Sequence, residues 1–265
     1  MPTNMNKIPL DVVDLLNEEA SRFNCPDFIE SDPVQFPRLF SDKRDIEIAA
    51  LLASTIAWGN RTMICRNANK MFGLMDWQPH KYIIEKGFEE LPPNDNIHRT
   101  FFNRNLTHYL RGLHKIYVEH GSLEDFAYQQ RIFESQFPSW ELATAINREL
   151  YFANGCTDSR CLPLNLDNSA LKRFNMALRW LVRDDGIVDL GIWRVISPSQ
   201  LFIPLDVHVA NVSRQLGLLQ RASNDRKAVE ELTGVLRTID ARDPVRFDFA
   251  LFSIGIEAKK AAKQP

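Results

Sequence analysis

The chain has 265 residues, of which 45% are apolar and 25% charged, with a formal net charge of −2 and a pI near 6.3. That is enough chain to bury a large core in one domain or two, and the composition is that of a globular protein. The slight acidity excludes a chain that coats nucleic acid by net charge alone, but not one with a locally basic cleft, because a specific site needs only a few phosphate contacts. No apolar run approaches the roughly 20 residues needed to span a bilayer, and the N-terminus has no apolar leader segment. The expectation is a cytoplasmic protein with reduced thiols and no membrane partner.

The pattern is helical from end to end. Val12, Leu15, Leu16 and Ala20 share one face of a first helix. A loop with prolines at 26, 33 and 37 follows. A helix is predicted from about Asp42 to Trp58, broken by Gly59 and Asn60. Ile48, Leu51, Leu52 and Ile56 make it apolar on more than one side, which predicts a buried helix. Thr62 to Phe72 reads as the next helix and stops at Gly73. Residues 92–105 carry prolines, asparagines and an aspartate and read as an irregular connection.

Leu106 to Glu119 has helical period, with Leu110, Leu113 and Tyr117 on one face. Ser122 and Asp125 open a short helix, and Pro138 to Phe152 forms another. Residues 154–168 form the clearest loop. A helix then begins near Lys172, with Asn168 or Ser169 as its cap and Leu171, Phe174, Leu178 and Leu181 as its buried stripe. Asp184-Asp185-Gly186 ends it. A short helix after Asp206 runs out at Gly217. Asn224 opens the next, with Val229, Leu232, Leu236 and Ile239 inward. Asp243 caps the last, with Pro244 in the favoured first position, and Gly255 closes it. There is no convincing alternating strand, no internal repeat and no Gly-rich phosphate loop. The fold class is all-α, a bundle of about ten short helices arranged as two helical subdomains flanking a cleft.

The most informative stretch is Ile203-Pro204-Leu205-Asp206-Val207-His208-Val209. Asp206 has two readings. As a helix N-cap, its carboxylate accepts hydrogen bonds from the first orphan N–H groups. As a functional group, it is a carboxylate aimed into a cleft and kept ionised by those N–H groups and the helix dipole.

The run Pro204-Leu205-Asp206-Val207-His208-Val209, followed by Ser213-Arg214-Gln215-Leu216-Gly217-Leu218, resembles the V-D-x-H-V-x-R segment of helix-hairpin-helix DNA glycosylases. Three further segments match. They are Ala170–Trp180 with Lys172 in its first turn, Phe247–Gly255, and Asp45–Ser54, which leads into the DNA-probing loop. The resemblance covers most of residues 42–257 and is nearest to an uncharacterised bacterial branch beside the archaeal 8-oxoguanine DNA glycosylases. It implies one helical glycosylase-like domain over residues 1–257, with an active cleft formed by 42–75 and 168–217, and a frayed tail over 258–265.

The same resemblance implies that Asp206 is the catalytic carboxylate and Lys172 the amine that attacks the sugar. The other reading of Lys172 is an ordinary solvated lysine, the usual state of that residue. A lysine in the first turn of a helix feels the positive end of the dipole, which disfavours its ammonium form. Trp58, Asn60 and Arg61 stand where relatives place residues that probe or replace an extruded base; their structural reading is a helix end with a core tryptophan. His208 reads as a packed or phosphate-contacting histidine.

Arg99, Arg104, Arg111 and Lys115 make the most basic window of the chain, interleaved with Phe101, Phe102, Tyr109 and Tyr117. The window reads either as a DNA-facing surface or as a solvated face over buried aromatics. His98, His108, His114 and His120 do not share a helical face, so no metal is expected. Cys25, Cys65, Cys156 and Cys161 include no four-cysteine cluster, so the iron–sulfur cluster of many relatives is not expected, and no other cofactor is.

One departure stands out. The L-P-G-V-G-x-x-T/K hairpin turn is absent. In its place are Asp184-Asp185-Gly186-Ile187-Val188-Asp189-Leu190-Gly191, an acidic run expected to point away from DNA, and Ser197-Pro198-Ser199-Gln200, a turn able to present N–H groups to a phosphate. The expected activity is base-excision repair: a monomeric glycosylase and AP lyase acting on double-stranded DNA that contains a damaged base, such as 8-oxoguanine. The alternative is a catalytically silent nucleic-acid-binding protein on the same fold. A more distant option is a protein-interaction module.

Overall fold

The computed structural model describes residues 8–158 and 161–261, with side chains through 257. Within these the chain is all-α, as expected, apart from one very small sheet. Helix α1 spans Leu10–Phe23. The proline-rich stretch is not a loop: it folds into α2, Pro26–Ser31, and two 3-10 turns at Pro33–Gln35 and Pro37–Leu39. Each begins on a proline, which fits the first turn because its missing N–H is one of the unpaired donors there. Prolines read as breakers were acting as starters.

Helix α3, Lys43–Thr55, is the centre of the molecule, buried from Ile46 to Thr55 without interruption. Asp42 caps it by accepting from the Arg44 N–H. The one charged residue in that buried stretch is Glu47, fully buried. Its carboxylate accepts from the Leu123 and Glu124 N–H groups at 2.9 and 3.1 Å, from Tyr117 Oη at 3.0 Å and from Trp193 Nε1 at 2.8 Å. Burial pushes its pKa up to about 7, against these four donors. The group ties the next layer of helices to the core.

Helix α4 spans Arg61–Gly73 and α5 spans Pro79–Ile84. Residues 92–105, expected to be irregular, contain a hairpin: β1, Asn96–His98, pairs antiparallel with β2, Phe101–Phe102. Arg99 turns the chain at φ +52°, and Asn96 Nδ2 donates to its carbonyl at 2.6 Å. Strands this short show no alternation in sequence.

Helix α6, Asn103–His120, packs on α7, Leu123–Gln129, and α8, Pro138–Ala153. Gly112 allows α6 to approach α8 closely, since a Cβ there would lie 2.9 Å from the Leu150 Cα. Helix α9, Lys172–Val182, packs on α3, and its expected stripe Leu171, Phe174, Leu178 and Leu181 is buried. Its cap is neither Asn168 nor Ser169. Leu171 occupies that position in the left-handed region, at φ +48° and ψ +31°. Ser169 Oγ braces it by accepting from the Leu171 N–H at 3.2 Å, and Asn175 Nδ2 donates to the Ala170 carbonyl at 3.1 Å. A left-handed leucine costs of the order of 1 kcal/mol or more and persists only where its surroundings fix it.

Helix α10, Val207–Gln215, is capped by Asp206, and α11, Arg226–Ile239, by Asp225 rather than Asn224. Asp243 makes no side-chain cap; Pro244–Phe247 is a 3-10 turn that leads into α12, Asp248–Ala261. Gly255 does not end that helix. It lies at the crossing with α10, where an added Cβ would come within 3.3 Å of the His208 Cβ. The segment expected to fray from residue 258 is helical to Ala261, and 262–265 lie outside the described residues. Helices α1, α10 and α12 pack together, with α3 and α9 adjoining each other.

Candidate active site

A cavity of about 940 Å³ opens where the C-terminal end of α3 and the start of α4 face the N-terminal turns of α9, α10 and α12. The expected segments 42–75 and 168–217 supply two of its walls. A third comes from outside them, through Phe28, Asp32, Asp248, Phe249 and Phe252. Lys172 and Asp206, 34 positions apart in sequence, both line it. The Lys172 Nζ lies 3.9 Å from Asp206 Oδ2, with side-chain exposures of 31% and 25%.

Asp206 divides its two oxygens between two tasks. Oδ1 accepts from the His208 and Val209 N–H groups at 2.8 and 2.9 Å, so the residue caps α10. Oδ2 faces the lysine. The capping reading of Asp206 and the cleft reading are therefore compatible. Lys172 is the first residue of α9, on the residue after the braced Leu171, so a constrained backbone aims the amine.

Trp58 also lines the cleft and is held on two sides. The Arg173 guanidinium lies 4.9 Å from its ring centroid, and the His98 ring meets it edge-on at 4.7 Å. His98 Nε2 is 2.9 Å from the Trp58 carbonyl, which can only accept, so that nitrogen carries the hydrogen. Nδ1 then accepts from Asn67 Nδ2 at 2.9 Å. Burial holds the His98 pKa below its ordinary value. This neutral imidazole fastens the hairpin to the cleft rim.

Asn60 caps α4 by accepting from the Met63 N–H at 3.1 Å, while still lining the cleft. Arg61 lies over the Phe252 ring at 5.0 Å and is 3.3 Å from the Asp32 carboxylate. His208 lines the same cavity. Of the basic window, Arg99 reaches the rim: an added Cβ on Gly59 would overlap its guanidinium. Arg104 lies over the Phe102 ring at 4.3 Å. Arg111 is paired with Glu89 and Lys115 with Glu119 and Glu149. None of these four lines the cavity itself.

The cleft floor holds a pair that sequence reasoning missed. Asp248 and Arg179 are both buried and paired with each other. Burial raises the Asp248 pKa to about 6; Arg179 and Lys172 oppose the shift and Asp206 adds to it. Arg179 also pairs with Asp189 at 3.2 Å. Asp189 pairs with Arg183 at 3.0 Å, and Arg183 with Asp243 at 2.7 Å and with Asp185. A ladder of alternating charges thus runs from the cleft floor into the loop after α9. The available signal was an arginine inside the apolar run Phe174–Val182, seven positions after Lys172 and so on the same helical face.

That ladder explains the acidic loop. Asp185 and Asp189, expected to point away from DNA, face inward, onto buried guanidinium groups. Asp185 Oδ1 also accepts from the Ile187, Val188 and Asp189 N–H groups at 2.8, 3.0 and 3.2 Å. The turn carries its own anion. In the other candidate turn, Ser197 and Gln200 form a capping box, with Gln200 Oε1 accepting from the Ser197 N–H at 3.1 Å.

The chain belongs to the family described as protein of unknown function (DUF2400), which matches residues 32–257. No curated protein and no solved structure matches it. The matched range contains every cleft residue discussed above except Phe28. Among the described residues there is no group of three or more His, Cys, Asp or Glu side chains placed to hold a metal, and no helix is long and apolar enough to cross a membrane.

Proposed function

We propose that the protein is a DNA glycosylase with AP lyase activity, acting as a monomer on double-stranded DNA that contains a damaged base, with an oxidised purine as the first candidate. The single observation that carries this reading is the 3.9 Å approach of the Lys172 amine to the free oxygen of Asp206 inside one cleft. A pure binding surface needs neither group in that relation.

The chemistry follows from the two groups. A base inside a duplex must leave the stack before its glycosidic bond can be reached. Trp58, pinned by Arg173 and His98, offers a rigid aromatic wall for stacking. As the C1′–N bond breaks, positive charge grows on the sugar, and the Asp206 carboxylate stabilises it. The unprotonated Lys172 Nζ bonds to C1′ and gives up a proton; the base leaves with the bonding electrons and takes up a proton. The C1′–O4′ bond then breaks, O4′ takes up a proton and the adduct becomes an imine; loss of a C2′ proton next drives β-elimination, in which the 3′-phosphate leaves with the C3′–O bonding electrons.

Borohydride trapping on a panel of lesion-containing duplexes tests the proposal. Wild-type protein should give a covalent product with at least one lesion or with an abasic site, and Lys172→Gln should give none. A silent nucleic-acid-binding protein is the second reading, favoured by the turn at 185–189 that fills itself with its own carboxylate. Duplex binding with neither a trapped product nor base release on any substrate would establish that reading instead.

A further inference from the structure

We infer that the exposed face of α4 and the adjoining hairpin form the surface on which this protein holds the phosphate backbone of duplex DNA, in place of the turn after α9. The inference rests on the reading that the cleft receives DNA, whether or not chemistry follows. Three observations carry it.

The first is a gap in the negative charge. No Asp or Glu occurs between Glu47 and Asp76, or between Asp95 and Glu119. These two stretches come together in space, because β1 packs on α4 and His98 is bonded to Asn67 of α4. The second is a set of cations without acidic partners. Arg66, Lys70, Arg99 and Arg104 are exposed and make no ion pair among the described residues. In the same region Arg61, Arg111 and Lys115 are already neutralised by Asp32, Glu89 and the pair Glu119 and Glu149.

The third is placement. Arg99 rests on Gly59, beside Trp58 and directly before the first turn of α4. Arg66 and Lys70 lie about 7 and 13 Å further along that helix at 1.5 Å per residue. A strand entering the cleft past Trp58 would meet these cations in succession. The acidic turn at 185–189 cannot compete for the same task, since its Ile187, Val188 and Asp189 N–H groups are already taken by Asp185.

The test measures duplex affinity by fluorescence anisotropy across a salt series, on undamaged and abasic 20-base-pair DNA. The variants are Arg66→Glu with Lys70→Glu, Arg99→Glu, and Arg194→Glu beside the turn. Circular dichroism checks that each is folded. The first two should lose tenfold or more in affinity on both duplexes and flatten the dependence of log K on log salt by about 0.9 for each phosphate no longer neutralised. Arg194→Glu should bind within about threefold of wild type. The inference is overturned if the α4 and Arg99 variants bind as wild type does, if Arg194→Glu loses as much as they do, or if the wild type binds neither duplex. Borohydride trapping by the wild type on the same abasic duplex separates the two readings. Failure to trap with the salt dependence as described removes the lysine imine chemistry and leaves the surface.

Discussion

Asp206 offers one carboxylate oxygen to the backbone of α10 and the other to the Lys172 amine, 3.9 Å away. A substitution that keeps the cap and removes the charge therefore separates two roles that any larger change would confound.

Asp206→Asn should slow base release by several orders of magnitude and leave duplex binding nearly intact. Charge on the sugar exists mainly in the transition state, so losing its counter-charge appears in the rate rather than in ground-state affinity. Single-turnover kinetics against anisotropy on the same lesion duplex measures both. Wild-type cleavage by the Asn variant would reduce Asp206 to a helix cap.

The cap itself has a measurable worth. Asp206→Ala should destabilise the protein by about 1 kcal/mol, and Asp206→Asn by less, because Asn can still accept from the two N–H groups. Urea denaturation of both variants checks the order.

Arg111 and Arg99 should behave differently despite their equal standing in sequence. Arg111 is held by Glu89, whereas Arg99 lies at the cleft rim against Gly59. Arg111→Gln should leave DNA affinity within about twofold and the salt slope unchanged. Arg99→Gln should lower the slope by about 0.9, the amount expected when one phosphate is no longer neutralised.

Asp248 sets a pH dependence of stability. Its folded pKa of about 6 lies above the ordinary 3.8. As pH rises, the unfolded chain gives up this proton first. The group's contribution is therefore full below about pH 4 and is lost as pH rises through 6. Subtracting the Asp248→Asn unfolding free energy from that of the wild type at each pH isolates the contribution. The difference should fall by up to ~3 kcal/mol between pH 4 and pH 7, at 1.36 kcal/mol per unit. A difference independent of pH would show that Arg179 keeps this carboxylate ionised throughout.

Two helical glycines should respond to alanine with opposite signs. At Gly112 the new Cβ would lie 2.9 Å from the Leu150 Cα, and backbone cannot rotate aside. Overpacking of about 1–3 kcal/mol should outweigh the roughly 1 kcal/mol gained in helix propensity. Gly234 has nothing within 4 Å of that position, so Gly234→Ala should stabilise by about 0.4–1 kcal/mol. Shifts in urea midpoint check both.

The helices were legible because their signals are local. The buried stripe of α9, the Ser122 start of α7 and the Pro138 start of α8 each follow from a few adjacent residues. The approach of Lys172 to Asp206 followed from a matching segment around each. What stayed hidden depends on partners distant in sequence. Nothing beside Arg111 announces Glu89, 22 positions back, and nothing beside Arg179 announces Asp248, 69 positions on. Gly255 looked like a helix end because the crossing with α10, which its missing side chain eases, is a tertiary fact. Leu171 misled in the same way: its left-handed backbone is imposed by Ser169 and Asn175, not by any preference of leucine.

The ladder from Asp248 through Arg179, Asp189 and Arg183 has a consequence for protein engineering. A conventional glycine-rich phosphate-binding turn grafted over residues 184–191 would remove Asp185 and Asp189 together. Arg179 would keep Asp248, and Arg183 would keep Asp243, but Arg179 would lose one counter-ion and Arg183 two. Such loss typically costs several kcal/mol. The graft would gain affinity for phosphate only in a host whose two arginines had first been replaced. Loop and cleft floor must be exchanged as one cassette.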